Sequence, residues 1–292
     1  MKLKLVRFKD GLFCPHCNGT RIVLFGKRKE IQRYHCKSCG KYFNDLTGTP
    51  MAYSKKLDKW PALSKAMQEG LSIRKTAKKL EISVDTSFRW RHKLLNGLDT
   101  YRSKVELSGV VEMDETMFRR SEKGSRKLTR KPRKRGSDNH VRGRSKEQVY
   151  AVIARDRTNK SRSFLLEQMS GSALVDKIGR IIDNKSQVCT DYWRSYQTFA
   201  RKLNLTHHRL NIRLGRRVLH GIYHIQNVNS YHSRLKKWMT RFNGVATKYL
   251  YNYLVWFEHV DESRKFADGL GQQKLFISSF ANYPRNYVPA AA

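Results

Sequence analysis

Acidic residues are scarce in this sequence, which has 24 Asp and Glu against 60 Lys and Arg and a formal net charge of +36. A chain of this charge is expected to bind a polyanion, and nucleic acid is the first candidate. A ribosomal protein, a histone-like protein or a membrane-surface binder would carry a similar charge. The five Trp and fourteen Tyr argue against a histone-like protein. Charge alone does not separate DNA from RNA.

Long apolar runs are absent as well. No stretch of about 18 consecutive apolar residues occurs, which excludes a membrane-spanning helix. The first ten residues lack the apolar core of a secretion signal. We therefore expect a cytoplasmic, nucleoid-associated protein with no membrane partner. The hydrophobic content of 39% is sufficient for packed cores, and a length of 292 residues favours two or three domains.

Cysteine is used sparingly, and four of the five cysteines form two C-x2-C pairs near the N-terminus. Two thiolates at this spacing reach one ion, and two pairs complete the tetrahedral shell of one structural Zn²⁺. Two disulfides are the alternative, which an intracellular chain disfavours. His16 and His35 are neighbours that could replace a thiolate. The predicted zinc ligands are Cys14, Cys17, Cys36 and Cys39.

The next segment, residues 51–100, has helical periodicity. A helix is predicted over 58–69, a second over 72–80 and a third over 84–95, with a turn at 81–83. Two short helices with a small residue against the turn are typical of a helix-turn-helix. The last helix would offer Asp85, Thr86, Arg89 and His92 to a major groove, with Trp90 buried. A plain helical spacer is the alternative.

Residues 107–262 alternate between strand and helix patterns. Strands are predicted at 107–112, 149–155 and 163–168, followed by a helix at 172–182, a strand at 186–189, a helix at 193–203, a strand at 206–210 and a helix at 229–242. This is the element order of a ribonuclease-H-like domain. That fold carries its first two acidic positions on the first and fourth strands.

Two carboxylates close short strand patterns in this segment. Asp114 ends the run from Gly109, and Asp191 ends the run from Ser186. Carboxylates on neighbouring strands can share divalent metal ions. Glu115 should point to the opposite side of its strand, so we assign it a supporting role.

A third catalytic position is expected on the helix over 229–242. Asn229 and Lys236 are seven residues apart, so they project from one helix face, with His232 one turn along. Such a helix would hold a metal ion at one end and a DNA phosphate at the other. An ordinary amphipathic helix is the alternative, and it uses a different face.

A basic insertion occupies residues 119–146, with thirteen Lys and Arg against two acids. A solvated, mobile insertion is the simplest interpretation for the free protein. On DNA it would order as a clamp. Its candidate DNA contacts are Arg130, Lys131 and Arg133. Residues 263–292 form a C-terminal tail without an assignable pattern.

Together these motifs make the chain resemble a transposase of the 1595 family of insertion sequences, which are related to the eukaryotic Merlin elements. The resemblance covers residues 14 to about 257. It is carried by the ribbon cysteines, by Met113-Asp114-Glu115-Thr116, by Thr190-Asp191-Tyr192 followed by Tyr196, by residues 224–236, and by Arg241-Phe242-Asn243-Gly244 and Lys248-Tyr249-Leu250.

The resemblance implies an α/β multidomain protein. Its expected parts are a zinc ribbon at 1–50, a helix-turn-helix at 51–100, a ribonuclease-H-like mixed-sheet catalytic domain at 101–262 with the insertion 119–146, and the tail at 263–292. The implied partners are terminal inverted repeats and target DNA, with a homodimer or higher assembly on synapsis and no small-molecule substrate.

The implied activity is DNA cleavage and strand transfer with two Mg²⁺ or Mn²⁺ ions per active site. Asp114, Asp191 and Asn229 would hold the metals, and Lys236 would bind a phosphate. Most related enzymes have Glu where this chain has Asn229, but some groups of the family use Asn, whose amide oxygen Mg²⁺ accepts. The competing interpretations are an inactive DNA-binding regulator derived from such an enzyme and a structure-selective nuclease.

Overall fold

The structure, a computed structural model, describes residues 7–8, 10–28, 30–102, 106–132, 145 and 147–264. The chain divides into two compact units, one of residues 1–104 and 263–292 and the other of 105–262. Residues 133–144 and 146 of the basic insertion, among them Arg133, and the tail after residue 264 lie outside the described residues. No helix within the described part is long and apolar enough to cross a membrane.

The first unit begins with a small antiparallel sheet of three strands, in the order β1-β2-β3. Tyr34 and Phe43 pair across β2 and β3, are buried, and stack with their ring centroids 5.0 Å apart. With two of the cysteines they make a core too small to be stable by hydrophobic burial alone. The strands are β1 (Ile22–Arg28), β2 (Ile31–Cys36) and β3 (Tyr42–Asn44).

Three helices follow, and serine side chains cap the start of the second and the third. Ser72 accepts a hydrogen bond from the amide of Lys75 and starts α2, which ends where Glu81 adopts a left-handed φ of 51°. Ser83 caps the next helix through the amide of Thr86. Trp90 is buried, as predicted, and stacks on Trp60 at 4.8 Å. The helices are α1 (Trp60–Gln68), α2 (Ile73–Leu80) and α3 (Val84–Arg102).

The second unit is built on a mixed sheet with the order β6-β5-β4-β7-β8. β7 pairs in parallel with both β4 and β8, whereas β5 is antiparallel to its two neighbours. The order of strands and helices along the chain is the predicted one. The strands are β4 (Val110–Arg119), β5 (Gln148–Asp156), β6 (Ser161–Leu166), β7 (Gln187–Asp191) and β8 (Thr206–Leu210).

Helices cover both faces of this sheet. Alternation along β4 sends Val111 and Met113 into an apolar core shared with the first two helices of the unit. The alternate residues of β4, Glu112 and Asp114, face the third helix, with which they make polar contacts. The helices are α4 (Gly171–Ile178), α5 (Arg194–Lys202), α6 (Gln226–Met239) and α7 (Thr247–Ser263).

Buried ion pairs join α7 to the sheet. Asp261 accepts hydrogen bonds from Arg155 on β5 and Arg234 on α6, and Arg162 on β6 pairs with Glu258 and Glu262. Removing one partner of such a buried pair leaves an uncompensated charge, which is strongly destabilising. The network therefore fixes α6 and α7 on this face of the sheet.

Among the predicted boundaries that differ from the structure, two bear on the acidic residues and on the helix that faces them. Asp114 does not close its strand, because β4 continues to Arg119 through antiparallel pairing with β5. Only the parallel pairing with β7 ends beside it, at Met113 and Thr190. The helix predicted over 229–242 begins at Gln226 rather than at residue 229.

Candidate functional site

An acidic cluster forms where the parallel pairing of β4 and β7 stops. The register aligns Met113 with Thr190, so the following residues, Asp114 and Asp191, lie side by side on the two strands. Together with Glu115 they each place a carboxylate oxygen within 4.8 Å of the others. Oxygen ligands at this spacing suit a hard divalent cation such as Mg²⁺.

Glu115 lies closer to the cluster than its strand position suggests. Tyr196, which is fully buried with Met113 in the core, donates a hydrogen bond of 2.9 Å to the Glu115 carboxylate. Tyr196 and Asp114 lie on opposite sides of β4, so Glu115 points away from Asp114 at its Cα, as the alternation of side chains along a strand predicts. The Glu115 side chain is nevertheless long enough to bring its oxygen beside Asp114 and Asp191.

Three close carboxylates repel one another. Burial, followed by repulsion from Glu115 and then Asp191, raises the pKa of Asp114 to about 8. A bound cation would relieve this repulsion, so the donor set fits a divalent metal. Asp191 is also fixed in place, because it accepts a 3.0 Å hydrogen bond from the amide of Trp193.

The third catalytic position was predicted on α6, and this helix does reach the acidic cluster. His232 is buried, with its Nδ1 3.6 Å from Asp114 Oδ2. Burial and then the charge of Lys236 lower the pKa of His232 to about 4, so the imidazole is neutral at neutral pH. Lys236 is exposed, and its charge also favours the ionised form of Asp114. Asn229 is exposed on the preceding turn.

Glu112 holds the N-terminus of α6 against β4. Its buried carboxylate accepts hydrogen bonds from the amides of Asn227 at 2.8 Å and Val228 at 3.0 Å. It also accepts one from the Asn227 side chain and pairs with Arg157 at 3.1 Å. A carboxylate at this position satisfies free helix amides and complements the helix dipole. It therefore fixes where α6 begins.

On the other side of the cluster, an exposed aromatic residue follows Asp191. The guanidinium of Arg209 lies 3.8 Å from the ring centroid of Tyr192 and donates to its carbonyl at 3.2 Å. Thr190 is hydrogen-bonded to His207 at 2.9 Å. These contacts link the end of β7 to β8 and keep the loop after Asp191 in place.

The four predicted zinc ligands come together in the first unit. Their sulfur atoms lie within 4.8 Å of one another. The amides of Asn18 and Gly40, both with left-handed φ, donate to the carbonyls of Cys14 and Cys36, so both pairs have the same turn. Four thiols at this spacing fit one tetrahedral metal ion. His35 does not join them, since it stacks on Tyr42.

The residues predicted to bind DNA on α3 are only partly available. Arg89 is exposed and pairs with Asp85 at 3.0 Å, an ion pair that solvent weakens. Thr86 is half-buried at the start of the helix. The expectation that His92 is available to a groove is wrong, because its side chain is buried against Phe88.

The basic insertion begins later than predicted and is anchored at its start. Arg119 belongs to β4. Ser121 exchanges hydrogen bonds of 2.7 Å with Thr247, and Lys123 donates to the carbonyls of residues 242, 243 and 244. This first part is therefore not a mobile loop. Arg130 is half-buried and Lys131 is exposed.

Three residues make contacts at this site that their sequence patterns did not predict. Glu115 was predicted to have only a supporting role, and Tyr196 was identified only through the family resemblance. Glu112 had no signal of its own beyond being an acid within a predicted buried strand. In a chain with so few acids, the presence of three carboxylates within four residues, at 112, 114 and 115, was the signal for a charged site.

Among solved structures, the Mos1 strand transfer complex matches over 75% of this chain and 78% of its own, with 14% sequence identity and a TM-score of 0.24. The Mos1 transposase paired-end complex with left transposon end matches over 77% and 80%, also with 14% identity, and a TM-score of 0.21.

Sequence comparisons are more specific. An uncharacterized protein in transposable element ISH50 of Halobacterium salinarum is 28% identical over 263 residues, covering 88% of this chain and 87% of that protein. The family model described as ISXO2-like transposase domain matches residues 106–259, more than half of the chain and all three carboxylates of the acidic cluster. The chain therefore belongs to the family of ISXO2-like transposase domains.

Proposed function

We propose that this protein is a DNA transposase that binds terminal inverted repeats and cleaves and joins DNA strands with divalent metal ions. The observation that carries the proposal is the cluster of Asp114, Glu115 and Asp191 within a matched transposase domain. The relative encoded in a transposable element supports the same function.

The carboxylates are the groups that would hold the metal. Asp114 and Asp191 are the principal ligands, and Glu115, held by Tyr196, adds a third oxygen. Asn229 would complete the shell from α6, as the resemblance implies. When bound, two Mg²⁺ ions would lower the pKa of the attacking hydroxyl group and stabilise the leaving oxygen of an in-line displacement.

The remaining residues would position the DNA. Lys236 supplies a positive charge close enough to affect Asp114, so it can bind a phosphate next to the reacting one. His232 is neutral and buried, which suits a residue that orients Asp114 rather than one that carries charge. Water would attack first and release a 3′-hydroxyl, which then attacks the target strand.

DNA recognition would come from the first unit and the insertion. Arg89 on α3 is exposed and can reach a base edge after leaving Asp85. Arg130 and Lys131 would contact phosphates. The four cysteines would hold one structural Zn²⁺, which supplies the folding free energy that the small ribbon core lacks.

The test is metal-dependent strand transfer of a labelled element end by the full-length protein. The wild type should cleave and join with Mg²⁺ or Mn²⁺ and do neither in a chelator. Asp114→Asn and Asp191→Asn should each fall below about a hundredth of wild-type activity while binding the end normally, because each removes a charge from the metal shell.

The same assay separates the competing functions. A DNA-binding regulator would neither cleave nor join, and a structure-selective nuclease would cleave without joining. Asp183→Asn is the matched control, since this acid lies in a turn before β7 and outside the acidic cluster. Activity above about a hundredth of wild type in either Asp114→Asn or Asp191→Asn would overturn the metal assignment.

A further inference from the structure

The zinc ribbon has a second face that the cysteines do not use. Along β2, Tyr34 and Cys36 point into the buried core, so Arg33 and His35 point to the opposite side of the sheet. Cross-strand pairing brings Tyr42 of β3 beside His35. Phe25 of β1 contacts both of these rings. We call Phe25, Arg33, His35 and Tyr42 the aromatic face.

The rings of the aromatic face form one contiguous cluster, in which His35 and Tyr42 are stacked and Phe25 is tilted against both. Phe25 and Tyr42 have centroids 4.6 Å apart, and His35 stacks on Tyr42 at the same distance. The guanidinium of Arg33 lies 5.0 Å from the Phe25 centroid. Phe25 is 44% exposed and Tyr42 is 51% exposed. Large rings held rigid yet open to solvent are typical of a binding surface rather than a core.

Positive charge surrounds this face. Arg28 of β1 pairs with Ile31 of β2, and the side chain of Ile31 is on the same side of the sheet as that of Arg33. The Arg28 side chain therefore adds positive charge to the edge of the aromatic face. Among residues 10–45 that the structure describes, the acids are Asp10, Glu30 and Asp45. The carboxylate of Asp45 accepts a hydrogen bond from Tyr34, and its backbone carbonyl accepts one from Arg7. The exposed basic residues of this region are Arg21, Lys27, Arg28, Lys37 and Lys41.

We propose that the aromatic face binds single-stranded DNA, with unpaired bases stacked on Phe25 and Tyr42 and phosphates on the surrounding Lys and Arg. Bases in a duplex are stacked on one another and present only their edges, so flat exposed rings have no partner there. Unpaired bases offer free ring faces, and each base stacked on an aromatic side chain contributes about 1–3 kcal/mol.

A second copy of the chain is a weaker candidate for the occupant. Two such faces would bring their basic edges together, and like charges facing each other across an interface are costly. The proposal rests on the proposed function only in taking DNA as the ligand. It adds an activity that neither the acidic cluster nor α3 provides.

The experiment measures binding of the zinc-loaded, full-length protein to a fluorescent thymidine oligonucleotide of about 16 nucleotides, and to a duplex of the same length. Phe25→Ala and Tyr42→Ala should each weaken single-strand binding about five- to a hundredfold, the loss expected for one stacked base. Duplex binding should change little. Phe25→Tyr and Tyr42→Phe should retain single-strand binding, because the ring is kept.

Leu24→Ala is the matched control, since Leu24 is exposed on the same strand but pairs with Tyr34 on the other face. It should bind the single strand as the wild type does. Each variant is used only if it carries the wild-type amount of zinc. Ultraviolet cross-linking of a bromodeoxyuridine strand should label Tyr42 or Phe25, as identified by mass spectrometry.

Three results would overturn the inference: unchanged single-strand binding in both alanine variants, an equal loss on duplex, or a wild-type dimer that Phe25→Ala dissociates in light scattering. Its failure is distinguishable from failure of the proposed function, because Asp114→Asn should still bind the single strand. Unchanged single-strand binding by both Phe25→Ala and Tyr42→Ala, beside strand transfer by the wild type, would overturn this inference and leave the proposed function intact.

Discussion

Asn229 and His232 are three residues apart on α6, and they differ in burial and in ligand chemistry. His232 lies against Asp114, whereas Asn229 is exposed one turn earlier. Mg²⁺ prefers oxygen ligands, and imidazole suits softer ions. Asn229 therefore remains the expected additional ligand, and His232 is expected to orient Asp114.

We expect Asn229→Ala to lose most Mg²⁺-supported cleavage, because it removes an oxygen ligand. His232→Ala should retain a substantial fraction, since Asp114 keeps its metal-binding oxygens. Cleavage rates of both variants in Mg²⁺ and in Mn²⁺ check this. An inactive His232→Ala beside an active Asn229→Ala, with Mn²⁺ far better than Mg²⁺, would identify His232 as the ligand instead.

We expect His92 to make the stability of the first unit sensitive to acid. Burial and then the neighbouring Arg91 lower its pKa from 6.5 to about 4. Between these values the unfolded chain binds a proton that the folded chain does not. Stability is thus complete above about pH 6.5 and falls as the pH drops toward 4, by up to about 3 kcal/mol.

The measurement is the free energy of unfolding of the zinc-loaded protein between about pH 7 and pH 4. His92→Gln cannot titrate, so its curve should be flatter than that of the wild type over this range. Acid also protonates the zinc ligands, but that effect is common to both proteins. Parallel curves would show that His92 does not control the acid sensitivity.

The start of α6 is held against β4 by one buried carboxylate. The Glu112 carboxylate accepts hydrogen bonds from the backbone amides of Asn227 and Val228 and forms an ion pair with Arg157. Hydrogen bonds to a buried charged group contribute about 1.5–3 kcal/mol each. Because α6 carries His232 and Lys236 to the acidic cluster, loosening its start should reduce activity as well as stability.

We expect Glu112→Gln to lower the free energy of unfolding by about 2–4 kcal/mol, since it weakens these bonds and leaves Arg157 without its buried partner. Strand cleavage should fall with it. Glu167→Gln is the control: this exposed acid pairs with Arg120, and its loss should cost less than about 1 kcal/mol. Equal effects of the two variants in chemical denaturation would contradict an anchoring role for Glu112.

The whole molecule carries a formal charge of +36, so its binding to DNA should depend strongly on salt. Affinity should fall by about a thousandfold or more between about 50 and 200 mM salt, as counterions are released from the phosphates. Binding curves for a terminal repeat at several salt concentrations give the slope directly.

The basic insertion can be tested in the same measurement. If Arg130 and Lys131 each contact one phosphate, the double variant Arg130→Gln/Lys131→Gln should reduce the slope of log affinity against log salt by about two. It should weaken specific and random DNA alike, because phosphate contacts carry no sequence information. An unchanged slope would remove both residues from the interface.

Local chemistry was enough to determine much of this protein from sequence. The C-x2-C spacing brings thiolates together within a single turn, so the four-cysteine cluster was predictable. Period-two and period-3.6 patterns predicted the element order of the second unit and placed the carboxylates at 114 and 191 on two of its strands. The cysteine pairs are predictable because their residues are close in sequence. The two carboxylates are predictable because few sheet topologies are compatible with this order of strands and helices.

Only the tertiary structure decided the rest, because it depends on residues far apart in sequence. β4 continues past Asp114 because β5 pairs with it. The helix α6 starts at Gln226 because Glu112, more than a hundred residues earlier, accepts hydrogen bonds from the first backbone amides of this helix. Glu115 joins the acidic cluster while it is held by Tyr196. The sequence by itself specified the ligand types and their strands, and packing between distant segments specified which carboxylates meet.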